Sequence, residues 1–356
     1  MGVFVFLPLV LPLTAWPVAR LAEQHLHPRT ATRLLTAMAA VLALCSTVCL
    51  GLVMVVGTAQ LPGNPLPDGW SDPEVRAAVP FDEVVGKAAI PALCAVVVAC
   101  ARTLWRHTRV RRRAHRALAG LPDTEVAVLP DGVPYAYALP GGRRGGGALR
   151  GGRRGGVLAG GRPSGDARRG GRPGDGELRG GAGRRDRGRR GRVVVSTALL
   201  DRLRPAERRA LFAHERAHLV ARHDRFLLTV QLAARANPFL RPLRTAVAYT
   251  AERWADEEAA RAVGSRRTVA RAIGTAALVS RGTPAPTLAG LAAPGPVPRR
   301  VAALLGPPPA VRNWPSVCTS VGLAAWGAAA GTAVSAMSSA NSAVTLVLIL
   351  RAATPL

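Results

Sequence analysis

From Leu34 to Ala59 the chain carries no charged residue. As a helix rising about 1.5 Å per residue, a run of that length crosses the roughly 30 Å hydrocarbon core of a bilayer. It also satisfies all of its own backbone polar groups, as lipid demands. A second apolar run, Ala88–Ala101, continues to Trp105, an aromatic residue suited to a membrane interface. A buried core helix is an acceptable alternative for this second run and a poor one for the first. Val3–Val18 is apolar but interrupted by Pro8, Pro12 and Pro17. No basic leader precedes it and no convincing small-residue cleavage site follows, so it reads as a short first membrane helix rather than a signal peptide. Val317–Ala336, extending toward Leu350, reads as a final membrane segment in which Gly322, Gly327 and Gly331 permit close helix contact. Whether Ser335–Ser342 divides it into two spans stays open. The expected fold is a mainly α membrane protein with about four transmembrane helices and a small α+β domain.

The charges between these runs set an orientation. Arg20, Arg29 and Arg33 lie between the first two spans against Glu23, and Arg106, Arg109, Arg111, Arg112, Arg113 and Arg116 follow the third. The intervening loop is acidic, with Asp68, Asp72, Glu74, Asp82 and Glu83 against Arg76. Basic loops stay on the cytoplasmic side, so the segment after Trp105 is expected to face the cytoplasm from the cell membrane. The net charge of +27 is almost entirely arginine, with Lys87 the single lysine. It points to an anionic partner, more readily lipid headgroups of the bilayer than nucleic acid. Cys45, Cys49, Cys94, Cys100 and Cys318 fall in apolar runs with no C-x-x-C pair, which indicates neither a disulfide framework nor a cysteine metal site.

Beyond residue 120 the pattern changes. Glu125–Leu129, Tyr135–Leu139 and Val193–Ser196 are candidate strands bounded by Pro-Asp-Gly and Pro-Gly-Gly turns. A strand just upstream of the helix described next offers a free edge for an extended peptide, or forms an ordinary supporting hairpin. Residues 141–192 consist almost wholly of glycine and arginine, too poor in apolar side chains to offset the entropy of ordering, and read as a disordered insertion. Arg/Gly-rich segments bind RNA, but this one lacks aromatic residues to stack on bases. The expected organisation is therefore a membrane region at 1–117, a cytoplasmic domain at 121–140 and 193–312, the insertion at 141–192, and a C-terminal membrane segment at 315–351.

Within the cytoplasmic domain, Leu211–His223 reads LFAHERAHLVARH. Pro205 suits a first helical position and Glu207 a helix N-terminus, and the alanines and leucines that follow propagate a helix. His214 and His218, at i and i+4, then share a face and can reach one metal ion, while Glu215 lies beside its open position as a general base. The competing reading is a charged amphipathic helix. Downstream, Tyr249–Ala260 reads YTAERWADEEAA, placing Glu252 and Asp256 at i and i+4 of a second helix. Two histidines and a glutamate leave a fourth zinc position for water, and Asp256 is suited to accept the second ring N–H of a ligating histidine. The competing reading is a solvated acidic face made by Glu252, Asp256, Glu257 and Glu258. His223 reads as a helix-end residue near the C-terminal dipole rather than a further ligand.

The pair of motifs, His214-Glu215-Arg216-Ala217-His218 and Glu252-Arg253-Trp254-Ala255-Asp256, resembles the membrane-embedded gluzincin peptidases. The likeness extends to HtpX-like, CAAX-protease-like and BlaR/MecR-type signalling peptidases. It implies one zinc ion held by His214, His218 and Glu252, with Glu215 catalytic and Asp256 in support. The insertion departs from these families, where a short turn leads into the same strand, and the stretch Pro298–Leu304 resembles theirs without an assigned role. No penicillin-binding sensor follows the last span, so β-lactam sensing by that route is not expected. The expectation is a membrane-anchored zinc metalloendopeptidase acting on a protein or peptide substrate, either a cytoplasmic transcriptional repressor or a membrane or misfolded protein. The alternatives are a non-catalytic scaffold with a structural zinc site and a lipid- or RNA-binding loop, and prenyl-protein processing.

Overall fold

The computed structural model describes residues 10–59, 61, 70, 82–122, 124–141, 191–280, 296–309 and 318–352. A 3-10 turn at Leu11–Thr14 leads into α1 (Ala15–His25), α2 (Pro28–Ala59) and α3 (Asp82–Ala117). Strands β1 (Val126–Leu129), β2 (Ala136–Leu139) and β3 (Arg192–Ser196) follow, then α4 (Thr197–Leu200), α5 (Pro205–Ala221) and α6 (His223–Ala236). A second 3-10 turn, Pro238–Leu240, precedes α7 (Arg241–Val263), α8 (Arg266–Val279), α9 (Val297–Leu305) and α10 (Ser320–Ala352). The expected insertion lies outside the described residues apart from its ends, as do most of the acidic loop and residues 3–9 of the expected first span.

Among the described residues three helices are long and apolar enough to cross a membrane: Pro28–Ala59, Val84–Ala117 and Ser320–Ala352. The expected first span is not among them. Its described part is the 3-10 turn and the start of α1, whose eleven residues reach only about half of a hydrocarbon core. The C-terminal segment is a single unbroken helix through Ser335–Ser342. Where α2 and α3 cross, Gly57 and Gly86 touch backbone to backbone, and a Cβ on Gly86 would lie 2.7 Å from Gly57 Cα. Glycine at both positions permits that approach.

The N-terminal half of α2 packs directly on α6 and α7. Leu35, Met38, Ala39 and Leu42 share one buried cluster with Val230 and Ala233 of α6 and with Leu243, Ala246 and Val247 of α7. Two buried polar contacts cross the same boundary, Thr32 Oγ1 to Thr250 Oγ1 at 3.0 Å and Asn237 Nδ2 to Ser46 Oγ at 3.0 Å. Buried hydroxyl and amide groups need such partners, so these contacts fix the register of α2 against α6 and α7.

The sheet is small and mixed, in the order β1-β3-β2, with β1 parallel and β2 antiparallel to β3. The strand immediately upstream of α5 is β3, and both of its edges are paired. The free edge expected of it belongs instead to β2, which packs beside α5. The reason is topological: β3 carries three consecutive buried valines, Val193–Val195, and a strand buried in this way takes the centre of a sheet. Consecutive β2 and β3 form a hairpin whose connection is the long glycine/arginine segment. Its two ends adjoin, since a Cβ on Gly191 would lie 3.4 Å from Gly141 N.

Candidate metal centre

Helix α5 starts where the sequence indicates. Pro205 occupies its first turn, and the Arg204 N–H donates to Glu207 Oε2 at 3.0 Å, satisfying a backbone donor that the helix leaves open. It ends abruptly at Arg222, the one non-glycine residue with positive φ among those described (55°). That left-handed conformation costs about 1–2 kcal/mol for an L-residue. It turns the chain so sharply that α6 begins at the next residue, His223. Helix α7 is closed conventionally by Gly264 in the left-handed region (φ 71°).

These helices bring His214, His218 and Glu252 together, with one ligand atom from each lying within 4.8 Å of the others. The two Nε2 atoms are 3.1 Å apart. Glu252 Oε2 lies 3.4 Å from His214 Nε2, and Oε1 lies 3.4 Å from His218 Nε2. Asp256, with no exposed surface, lies 3.0 Å from His214 Nδ1. Glu215 is buried one residue from His214, and the Ala138 N–H of β2 donates toward its carboxylate. The acidic residues of α7 therefore do not form a solvated face. Glu252, Asp256 and Glu257 are buried, and Glu257 pairs with Arg253 at 3.2 Å and Arg266 at 2.8 Å.

Two residues complete the centre that sequence patterning did not assign to it. The first is Arg300 of α9, which is buried. Its guanidinium donates to Asp256 at 2.6 and 2.8 Å and reaches Glu252 Oε2 at 2.8 Å. Arg266 in turn donates to the Ala303 and Gly306 carbonyls at 2.8 and 2.7 Å, holding the C-terminal end of α9 in place. The available signal was an arginine sharing a helical face with Leu304 in a short helix otherwise apolar on that side. The second is His223, for which the reading as a helix-end residue is corrected. It opens α6, is only 1% exposed, and places Nδ1 2.8 Å from His218 Nδ1. No glycine or proline marks the break at Arg222, and a contact between side chains of two different helices leaves no periodic signal in the sequence.

The electrostatics follow from burial and charge. Burial opposes protonation of His214, but Asp256 and Glu252 outweigh it and push the imidazole up to about 10. Burial, against the Glu252 charge, brings His218 down to about 4, and burial together with His218 brings His223 down to about 2. Burial works against ionised Glu252 and Asp256, yet Arg300 and the neighbouring histidines hold both below the usual carboxylate range. Burial pushes Glu215 up to about 7. A pocket that draws a proton so strongly onto His214 draws a cation to the same lone pair, because the two compete for it.

The donor chemistry fits zinc. Two imidazoles and one carboxylate converge, the far nitrogen of each imidazole is engaged, and one Glu252 oxygen is free of Arg300. Residues 185–234 match the model of peptidase family M48. That match supports a zincin-like metallopeptidase. It spans β3 to α6 and so includes His214, Glu215 and His218, whereas Glu252, Asp256 and Arg300 lie beyond it. Zinc dependence in the M48 peptidases agrees with the His-His-Glu group gathered here. No curated protein and no solved structure matches the chain.

Proposed function

We propose that the chain is a membrane-anchored zinc metalloendopeptidase, multi-pass in the cell membrane, with its peptidase helices on the cytoplasmic side. The convergence of His214, His218 and Glu252 next to a buried Glu215 carries this reading. Zinc held by these three side chains supplies a Lewis acid for water and for the scissile carbonyl. Glu215 takes the proton of the attacking water on its carboxylate and delivers it to the leaving amide nitrogen. Asp256 and His223 keep the two imidazoles turned inward, and Arg300 holds Glu252 and Asp256 in their charged forms. The free edge of β2 offers backbone groups along which an extended peptide can pair beside Glu215.

The proposed substrate is a protein segment: a cytoplasmic transcriptional repressor in a regulated cleavage, or a membrane or misfolded protein in quality control. Cleavage of one defined sequence with folded chains otherwise spared supports the first, and broad attack on unfolded chains the second. Zinc content and proteolysis of the detergent-solubilised protein test the reading, with wild type beside Glu215→Gln. The expected result is one zinc in both and a loss of cleavage of about 10²-fold or more in the variant. A folded wild type that binds no zinc overturns it. Equal absence of cleavage with zinc retained favours the structural-site scaffold.

A further inference from the structure

A ligating histidine must hold one ring nitrogen toward the metal and satisfy the other. For His214 the second nitrogen faces the Asp256 carboxylate. For His218 the partner is unusual: Nδ1 meets not a carboxylate or a carbonyl but His223 Nδ1, at 2.8 Å. Two imidazole nitrogens at that distance share one proton, so one donates and the other accepts. With His218 Nε2 turned toward His214 and Glu252, the shared proton belongs on His218 Nδ1 and the accepting lone pair on His223 Nδ1. His223 then carries its own proton on Nε2, which is buried and has no hydrogen-bond partner among the described residues.

Leaving that nitrogen unsatisfied is unfavourable, and a residue serving only to fill space would avoid it. The surroundings nevertheless hold the ring in place. Left-handed Arg222 turns the chain so that His223 folds back toward His218. Trp254, two residues before Asp256 on α7, packs against the imidazole at 4.7 Å between centroids and 61° between planes. Arg29 and Arg33 of α2 lie over the same Trp254 ring at 5.6 and 5.4 Å. Backbone strain, burial and an aromatic wall thus converge on a single imidazole whose one side-chain hydrogen bond among the described residues is to His218.

We propose that His223 is a positioning residue that fixes the tautomer and ring orientation of His218 through this imidazole–imidazole hydrogen bond. The inference rests on the reading of His214, His218 and Glu252 as a zinc site. It gives the two donor histidines different supports, an anionic carboxylate for one and a neutral ring for the other.

The test measures zinc dissociation constants by chelator competition on the full-length solubilised protein, together with the visible absorption of the cobalt-loaded form. The variants are His223→Phe, His223→Asn and His223→Gln. Phenylalanine keeps a ring against Trp254 and removes the acceptor. Asparagine places an oxygen at about the reach of Nδ1, and glutamine places its polar group one bond further out. The expected result is zinc binding weakened about 10- to 100-fold in the Phe and Gln variants, with a shifted cobalt spectrum, and recovery of most of the affinity and the spectrum in the Asn variant. A Phe variant with wild-type affinity and an unchanged cobalt spectrum overturns the role of His223. Recovery by Gln as full as by Asn also overturns it. Wild-type protein that binds neither metal instead overturns the peptidase reading, so the two failures are distinguishable.

Discussion

At the scale of single residues, the centre depends on a cation as much as on its donors. Arg300 is the counter-charge to two buried carboxylates, and removing one partner of a buried pair leaves the other uncompensated, at about 3–5 kcal/mol. Arg300→Met is therefore expected to destabilise the zinc-free protein by that order, read by denaturant titration. The pH dependence should change with it. In the wild type, Glu252 and Asp256 are held below their ordinary values. The stability they contribute is complete above about pH 4 and lost as pH falls through the folded values. In Arg300→Met the orphaned carboxylates prefer their protons, so acidification from pH 7 toward 5 should recover stability. A variant that loses stability in parallel with wild type over that range would count against this account. His214 with His218, and Glu252 with Asp256, were legible as pairs because i, i+4 spacing places each pair on one helical face. Arg300 and His223 were not, since their partners come from other elements and no periodicity encodes a contact between helices.

At the scale of elements, the strand pattern located β2 and β3 but gave the free edge to β3, the strand that the sheet order places at the centre. Three short apolar runs fixed three strands. Pairing order was not encoded in any one of them, because a mixed sheet depends on which strand is buried on all sides. The valines of β3 decide that, and β2 is left with a free edge and with the Ala138 N–H aimed at Glu215. Ala138→Pro removes that donor at an edge position where proline is tolerated. Cleavage should fall about tenfold, the effect of one lost hydrogen bond, with zinc content unchanged. Loss of zinc in this variant would show that β2 supports the metal centre rather than the catalytic carboxylate.

At the scale of the molecule, α2, long and apolar enough to cross a membrane, packs directly on the helices that carry the candidate metal centre. The long charge-free run made α2 legible as a helix able to span a membrane, yet nothing in that run marked the residues that pack on α6 and α7. The same helix therefore serves both roles, and the boundary near residue 117 does not mark where packing between the two parts ends. The orientation is open to direct test: reporter fusions after Arg116 are expected to report the cytoplasmic side, and an external signal there would reverse the proposed topology. Replacing residues 142–190 by Asn-Gly should preserve zinc binding and peptide cleavage, because it leaves β2 and β3 joined by a short hairpin connection between Leu139 and Arg192. Loss of both would show that the segment contributes to the centre.

The meeting of Gly141 and Gly191 has a practical side as well. Two chain ends that meet this closely in a hairpin can accept a separate folded unit between them. A folded cargo with adjoining termini, such as a fluorescent or affinity module, can be spliced there and ride beside the cleavage site. The hairpin would thus carry a reporter of the proposed proteolysis within the protein's own sequence.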